Sequence, residues 1–127
     1  MPILFFNNAT DAATRDDVHI NPAAVRFVEA ALENKLGHTN IHVLGYKVSG
    51  IRVTEQIATV LASLPGLVQA TRHYHAGEPA MGASTLFVAP HNLSFIRPNV
   101  PKDPTFWILR FTDESELRIV GPLPQGL

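Results

Sequence analysis

The residues with the clearest chemical potential lie in "TRHYHAG", residues 71–77, where His73 and His75 stand one residue apart. Alternate side chains of a strand share a face, so the two imidazoles would start about 7 Å apart at the backbone, near enough to reach one ion. A metal needs more than two ligands. Glu78 follows closely and His91 comes further on, which makes His73, His75 and His91, with Glu78 beside them, the candidate set for a divalent metal. The same histidines beside Arg72 or Arg97 could instead do acid–base chemistry or bind an anion, because imidazole changes charge near neutral pH. The plainest reading is a solvated strand face, since Gln69 and Thr71 share it.

The elements that must position this pair follow from the chain's patterning. "PILFF" (2–6) reads as a buried strand and residues 7–17 as a polar connection. Asn21-Pro22 carries the signature of a helix start, and Val25, Val28, Leu32 and Leu36 follow at spacings of three and four, up to a stop at Gly37. "NIHVLGYKV" (40–48) reads as a strand with a bulge at Gly45. A second helix is expected from a Thr54 cap, with Ile57, Val60, Leu61 and Leu64 facing the core and Pro65-Gly66 ending it.

Strands fill the rest: residues 67–75, 84–89, 93–97, 105–111 and 116–120. "PHN" (90–92) and "TDES" (112–115) are short enough to close hairpins. "TFWILRF" is apolar on both faces, which places it in the middle of its sheet. The expectation is a single α+β domain over 1–127, with two helices on one face of a mostly antiparallel sheet. Its order is β-α-β-α and then a meander; no internal repeat is read, and 121–127 forms a loosely packed tail.

Composition narrows the function classes. Ten Lys and Arg against eleven Asp and Glu, without a basic stripe, argue against nucleic acid as a partner. The absence of cysteine excludes disulfides, thiolate metal sites and a cysteine nucleophile. "MPILFF" lacks the length and the basic residue of a signal peptide, and no run is long enough to cross a bilayer, so a cytoplasmic protein without membrane contact is expected. With 46% hydrophobic and 17% charged residues, the surface has room for a homo-oligomer contact or another protein partner.

Two resemblances attach to these residues. His-x-His followed by Glu78 and His91 resembles the cupin metal pattern, but the acid follows too soon, the gap to His91 is short, and helices are expected where a cupin has strands. The opening "MPIL" is similar to the start of the tautomerase superfamily, which would make Pro2 a catalytic amine once Met1 is removed. That family has two complete strand-helix-strand repeats, which this pattern does not supply.

The expectation is therefore a small binding or interaction module, homo-oligomeric, taking a protein partner or a small molecule. The alternatives are a metal-binding protein or small enzyme with a histidine site on the 67–76 strand, and a tautomerase-like enzyme using Pro2.

Overall fold

The computed structural model of the chain describes residues 3–7, 17–31, 37–46, 50–74, 84–99 and 105–127. Among them are ten strands and one α-helix, α1 (Ile57–Ser63). The protein is mostly β, and the α+β arrangement with two helices on one sheet face is not what forms.

The expected first helix is a strand. Asn21 does cap, accepting a hydrogen bond from the Ala23 N–H at 3.0 Å, but what it caps is a single 3₁₀ turn, Pro22–Ala24. The chain then runs extended as β3 (Val25–Ala30). A bulge at Arg26 explains why the sequence looked helical. Pairing with β4 (Thr39–Val43) shifts between Val25 and Phe27, and Val25 and Val28 both enter one core while Phe27 enters another. A bulge brings residues three apart onto one face, the spacing that otherwise marks a helix turn. The rest of the expected helical stripe, at 32–36, lies outside the described residues.

The second helix does form, shorter than expected and starting from Gln56 rather than Thr54. Val60 and Leu64 are buried, with Ile57 and Leu61 packed beside them.

Three antiparallel sheets hold the strands. β1 (Leu4–Asn7) pairs with β2 (Asp17–Ile20). A five-stranded sheet runs β5-β4-β3-β7-β6, with β5 at Ile51–Val53, β6 at Val68–Thr71 and β7 at Thr85–Val88. A third runs β10-β9-β8, from β8 (Leu93–Pro98), β9 (Phe106–Phe111) and β10 (Glu116–Val120). "TFWILRF" is the middle strand of its sheet, as its two apolar faces require. "PHN" closes no hairpin. It forms a 3₁₀ turn that carries the chain from β7 in one sheet to β8 in another.

The pairing register exposes an internal duplication that was not read from the sequence. In each half a two-stranded ribbon, a proline-started 3₁₀ turn and a three-stranded meander follow in the same order. Leu4 opposite Ile20 corresponds to Val68 opposite Val88. Val25 opposite Val43, with a bulge at the next residue, corresponds to Leu93 opposite Phe111 with a bulge at Ser94. Thr39 opposite Val53 corresponds to Trp107 opposite Ile119. In each half the last strand also leans back on the first: the Thr54 N–H donates to the Asn7 carbonyl, and the His73 N–H to that of Arg118.

Two hydrophobic cores result, one per half. Phe6, Ile20, Val25, Val28, Ile41 and Val53 centre the first, which α1 covers. Leu86, Val88, Leu109, Phe111, Leu117 and Ile119 centre the second, on which Leu123 and Leu127 of the tail pack. What joins the halves is β3 pairing with β7, in the register Phe27 with Val88, Val28 with Phe87 and Glu29 with Leu86.

Candidate functional site

The histidines singled out above do not gather among the described residues. His73 stacks on the Phe106 ring, centroids 4.2 Å apart, and lines a cleft of about 390 Å³ with Arg26, Phe27, Arg72, Glu116 and Arg118. His91 sits in the 3₁₀ turn Pro90–Asn92 and lines a different, apolar cleft with Leu4, Pro22, Val25, Leu64 and Leu67. His75, Glu78 and Pro2 lie outside the described residues. Among the described residues, no three His, Cys, Asp or Glu side chains form a metal-binding group.

Instead, the polar chemistry concentrates where the two halves meet. Glu29, on β3, is fully buried. Its Oε1 lies 2.8 Å from Nε2 of His42, on β4, and its Oε2 accepts a 2.8 Å hydrogen bond from Arg72, which follows β6 in the other half. The cost of burying this carboxylate is offset only because both oxygens are engaged. Burial pushes the His42 pKa below its ordinary value, outweighing the upward pull of Glu29 and adding to the downward push of Arg26 and Arg72. A neutral His42 must therefore carry its proton on Nε2 to donate to the carboxylate.

The His42 ring also stacks on Phe27 at 4.0 Å, and the Arg72 guanidinium lies over the Phe27 and Tyr74 rings at 5.4 Å. These faces compensate part of the burial of the Arg72 Nε, which has no acceptor among the described residues. Gly50 completes the pocket around His42. Its φ is +99°, and a Cβ there would stand 3.0 Å from the imidazole, so both conformation and space call for glycine.

Arg26, in the bulge of β3, is the second tie between the halves. Its Nε donates to the Val43 carbonyl, one terminal nitrogen to the Tyr46 carbonyl and the other to the Ser115 hydroxyl, each near 3.0 Å. Burial lowers its pKa against the raising influence of Asp113. Burial pushes the Asp113 carboxyl up, but hydrogen bonds from Ser115 and from the Gly45 N–H, with Arg26 nearby, outweigh it and hold the pKa at about 2. Asn92 adds a third tie, its amide donating to the carbonyls of Ala23 and Val25 at 2.7 and 2.6 Å. The heads of Arg26 and Arg72 in the cleft are thus engaged by the protein itself, in holding one half against the other.

The duplicated half of this seam is open. β3 is covered on one edge by β4 and on the other by β7, whereas β8, its counterpart, pairs with β9 alone among the described residues. β7 is covered by β6 and β3, whereas β2, its counterpart, pairs with β1 alone among the described residues. The side chains record the difference. Phe27 is 5% exposed and Phe95, at the matching position, 44%. Val28 and Leu86 are fully buried, while their counterparts Ile96 and Val18 are half-buried. Phe111 is fully buried and its counterpart Val43 is not. Ile3 and Phe5, at the head of β1, are 54% and 52% exposed.

The sequence reading missed Glu29, His42, Arg26 and Phe95 because it placed Arg26 and Glu29 on a helix, away from the strand of His42, and Phe95 in a plain meander. The signal was present: "PAAVRFV" (22–28) and "PHNLSFI" (90–96) share Pro, Phe and the apolar positions at the same spacing. Comparison with known proteins finds no matching family model, no matching curated protein and no matching solved structure.

Proposed function

We propose that this chain is an interaction module that binds by strand addition along the open edge of β8. The observation that carries this reading is the contrast between Phe27 and Phe95: the same residue in the same register, 5% exposed where a strand is added and 44% exposed where none is added among the described residues. The edge is equipped for pairing. The Asn99 N–H donates to the Phe106 carbonyl, so by alternation the Ile96 N–H and carbonyl point away from β9. Strand addition uses such unpaired backbone groups for affinity and alternate side chains for specificity. The edge is also blunted where it ends, since Pro98 has no N–H to offer.

The test is selection from a displayed library of extended peptides, with binders retested on Phe95→Lys. Binders that lose affinity for the variant support the reading. A selection without binders, or with binders indifferent to Phe95→Lys, contradicts it.

A further inference from the structure

We infer that the strand received by β8 is β2 of a second copy of this chain, so that contact between copies repeats the β3–β7 seam already present within each copy. This rests on the strand-addition reading and names its partner.

The duplication supplies the template. Within the chain, β3 of the first half receives β7 of the second, in the register Phe27 with Val88, Val28 with Phe87 and Glu29 with Leu86. The counterparts of β3 and β7 are β8 and β2, and both have an uncovered edge among the described residues. Transferring the register sets Phe95 opposite Ile20, Ile96 opposite His19 and Arg97 opposite Val18 of the second copy.

The backbone groups match. The Val28–Phe87 pair is hydrogen-bonded by alternation from the Ala89 N–H to Arg26 carbonyl bond. Ile96 on β8 and His19 on β2 occupy those two positions and direct their N–H and carbonyl groups outward. The transferred contact therefore pairs open donors with open acceptors.

Side chains agree with the same placement. Phe27 closes the second core beside Val88, Leu86 and Phe111. In the first half, the counterparts Val18 and Val43 remain half-buried, leaving that core uncovered where Phe95 of a neighbour would lie. Leu67 and Phe87, on the outer face of β6 and β7, pack against the first core. Their counterparts Ile3 and His19 are exposed, and Phe5 lies edge-on to the His19 ring at 5.4 Å. That face meets the half-buried Ile96 of the second copy in the transferred arrangement.

One part of the template is not duplicated. Arg97 and Arg110 stand where Glu29 and His42 stand, so the contact between copies lacks the buried carboxylate. It is held by backbone pairing and apolar contact, and is weaker than the seam within the chain. Each copy offers one β8 and one β2, so every contact leaves one edge of each kind free. Assembly continues until the ends meet, two copies closing on each other being the smallest such assembly.

The absence of cysteine permits a clean test of partner and register together. Arg97→Cys with Val18→Cys places two thiols at a non-hydrogen-bonded pair, the close pair of an antiparallel ladder. Arg97→Cys with His19→Cys differs by one residue and sets the two thiols on opposite faces. Light scattering is expected to give a mass above one chain for the wild type and one chain for both Phe95→Lys and His19→Lys. Mild oxidation is expected to cross-link the Val18 combination into multiples of the chain and to leave the His19 combination uncross-linked. A single-chain mass for the wild type at high concentration, or equal cross-linking of both combinations, overturns the inference. If library-selected peptides still depend on Phe95 in that case, strand addition stands with another partner; if they do not, both fall.

Discussion

Phe27 and Phe95 occupy one register position in two copies of the same strand, and among the described residues only Phe27 has a strand laid across its edge. The first consequence is unequal tolerance. Phe27→Ala removes a ring from the second core and is expected to cost about 3–5 kcal/mol. Phe95→Ala, in the dilute single chain, stays within about 0.5 kcal/mol of wild type. Urea unfolding followed by Trp107 fluorescence at low concentration measures both. Equal losses at the two positions would contradict the assignment of Phe95 to an open edge.

Glu29 is a lock between the halves. Glu29→Gln leaves Arg72 buried without its counter-charge and is expected to cost about 3 kcal/mol or more. The double variant Glu29→Gln with Arg72→Met removes both charges and recovers much of that loss, because no buried charge is left unpaired and the new amide still offers His42 an acceptor. A double-mutant cycle in urea decides it; additive losses would show that the two side chains are not coupled.

His42 gives the fold a pH dependence with a defined sign. Its pKa is lower in the folded protein than in the unfolded chain, so below about pH 6.5 the unfolded chain takes up a proton that the folded one refuses. Stability is full above that value and declines as pH falls through it toward the folded pKa. His42→Gln is expected to flatten this decline between pH 7 and 5, and a decline as steep as in wild type would contradict it. Histidine NMR titration gives the same answer directly, with the His42 midpoint expected below the ordinary imidazole value of about 6.5.

Asp113 acts lower on the scale. Its carboxyl is held at about 2 against an ordinary value of 3.8, so its stabilisation is present above 3.8 and is lost as pH falls toward 2. Asp113→Asn is expected to melt at a lower temperature than wild type at neutral pH and to converge with it near pH 2. Thermal melts across that range test it, and a constant gap would point to lost packing instead.

The strands of the second half were legible because each carries its own signal. "TFWILRF" is apolar on both faces, and "TDES" offers turn residues between two strand-like runs. The first half misled for a physical reason. Asn21 and Pro22 are a helix-start pair that here starts only a 3₁₀ turn, and the bulge at Arg26 gives Val25 and Val28 a helical spacing on an extended backbone. The second copy of the motif, at Pro90 and Phe95, would have corrected this, because "PHNLSFI" has no helical continuation beyond it. The polar seam was not legible at all. Glu29, His42 and Arg72 are separated in sequence, and only the β3–β7 pairing brings Arg72 to the other two.

Amide hydrogen exchange at two positions tests the central claim most directly, since the Ile96 and His19 N–H groups point out of the edges of β8 and β2 that no strand covers among the described residues. The account predicts that both exchange slowly at concentrations where the chain associates, as slowly as the paired Arg97 amide, and that Phe95→Lys returns both to fast exchange while Arg97 stays protected. Fast exchange of Ile96 and His19 in the wild type at every concentration, beside a protected Arg97, would contradict it.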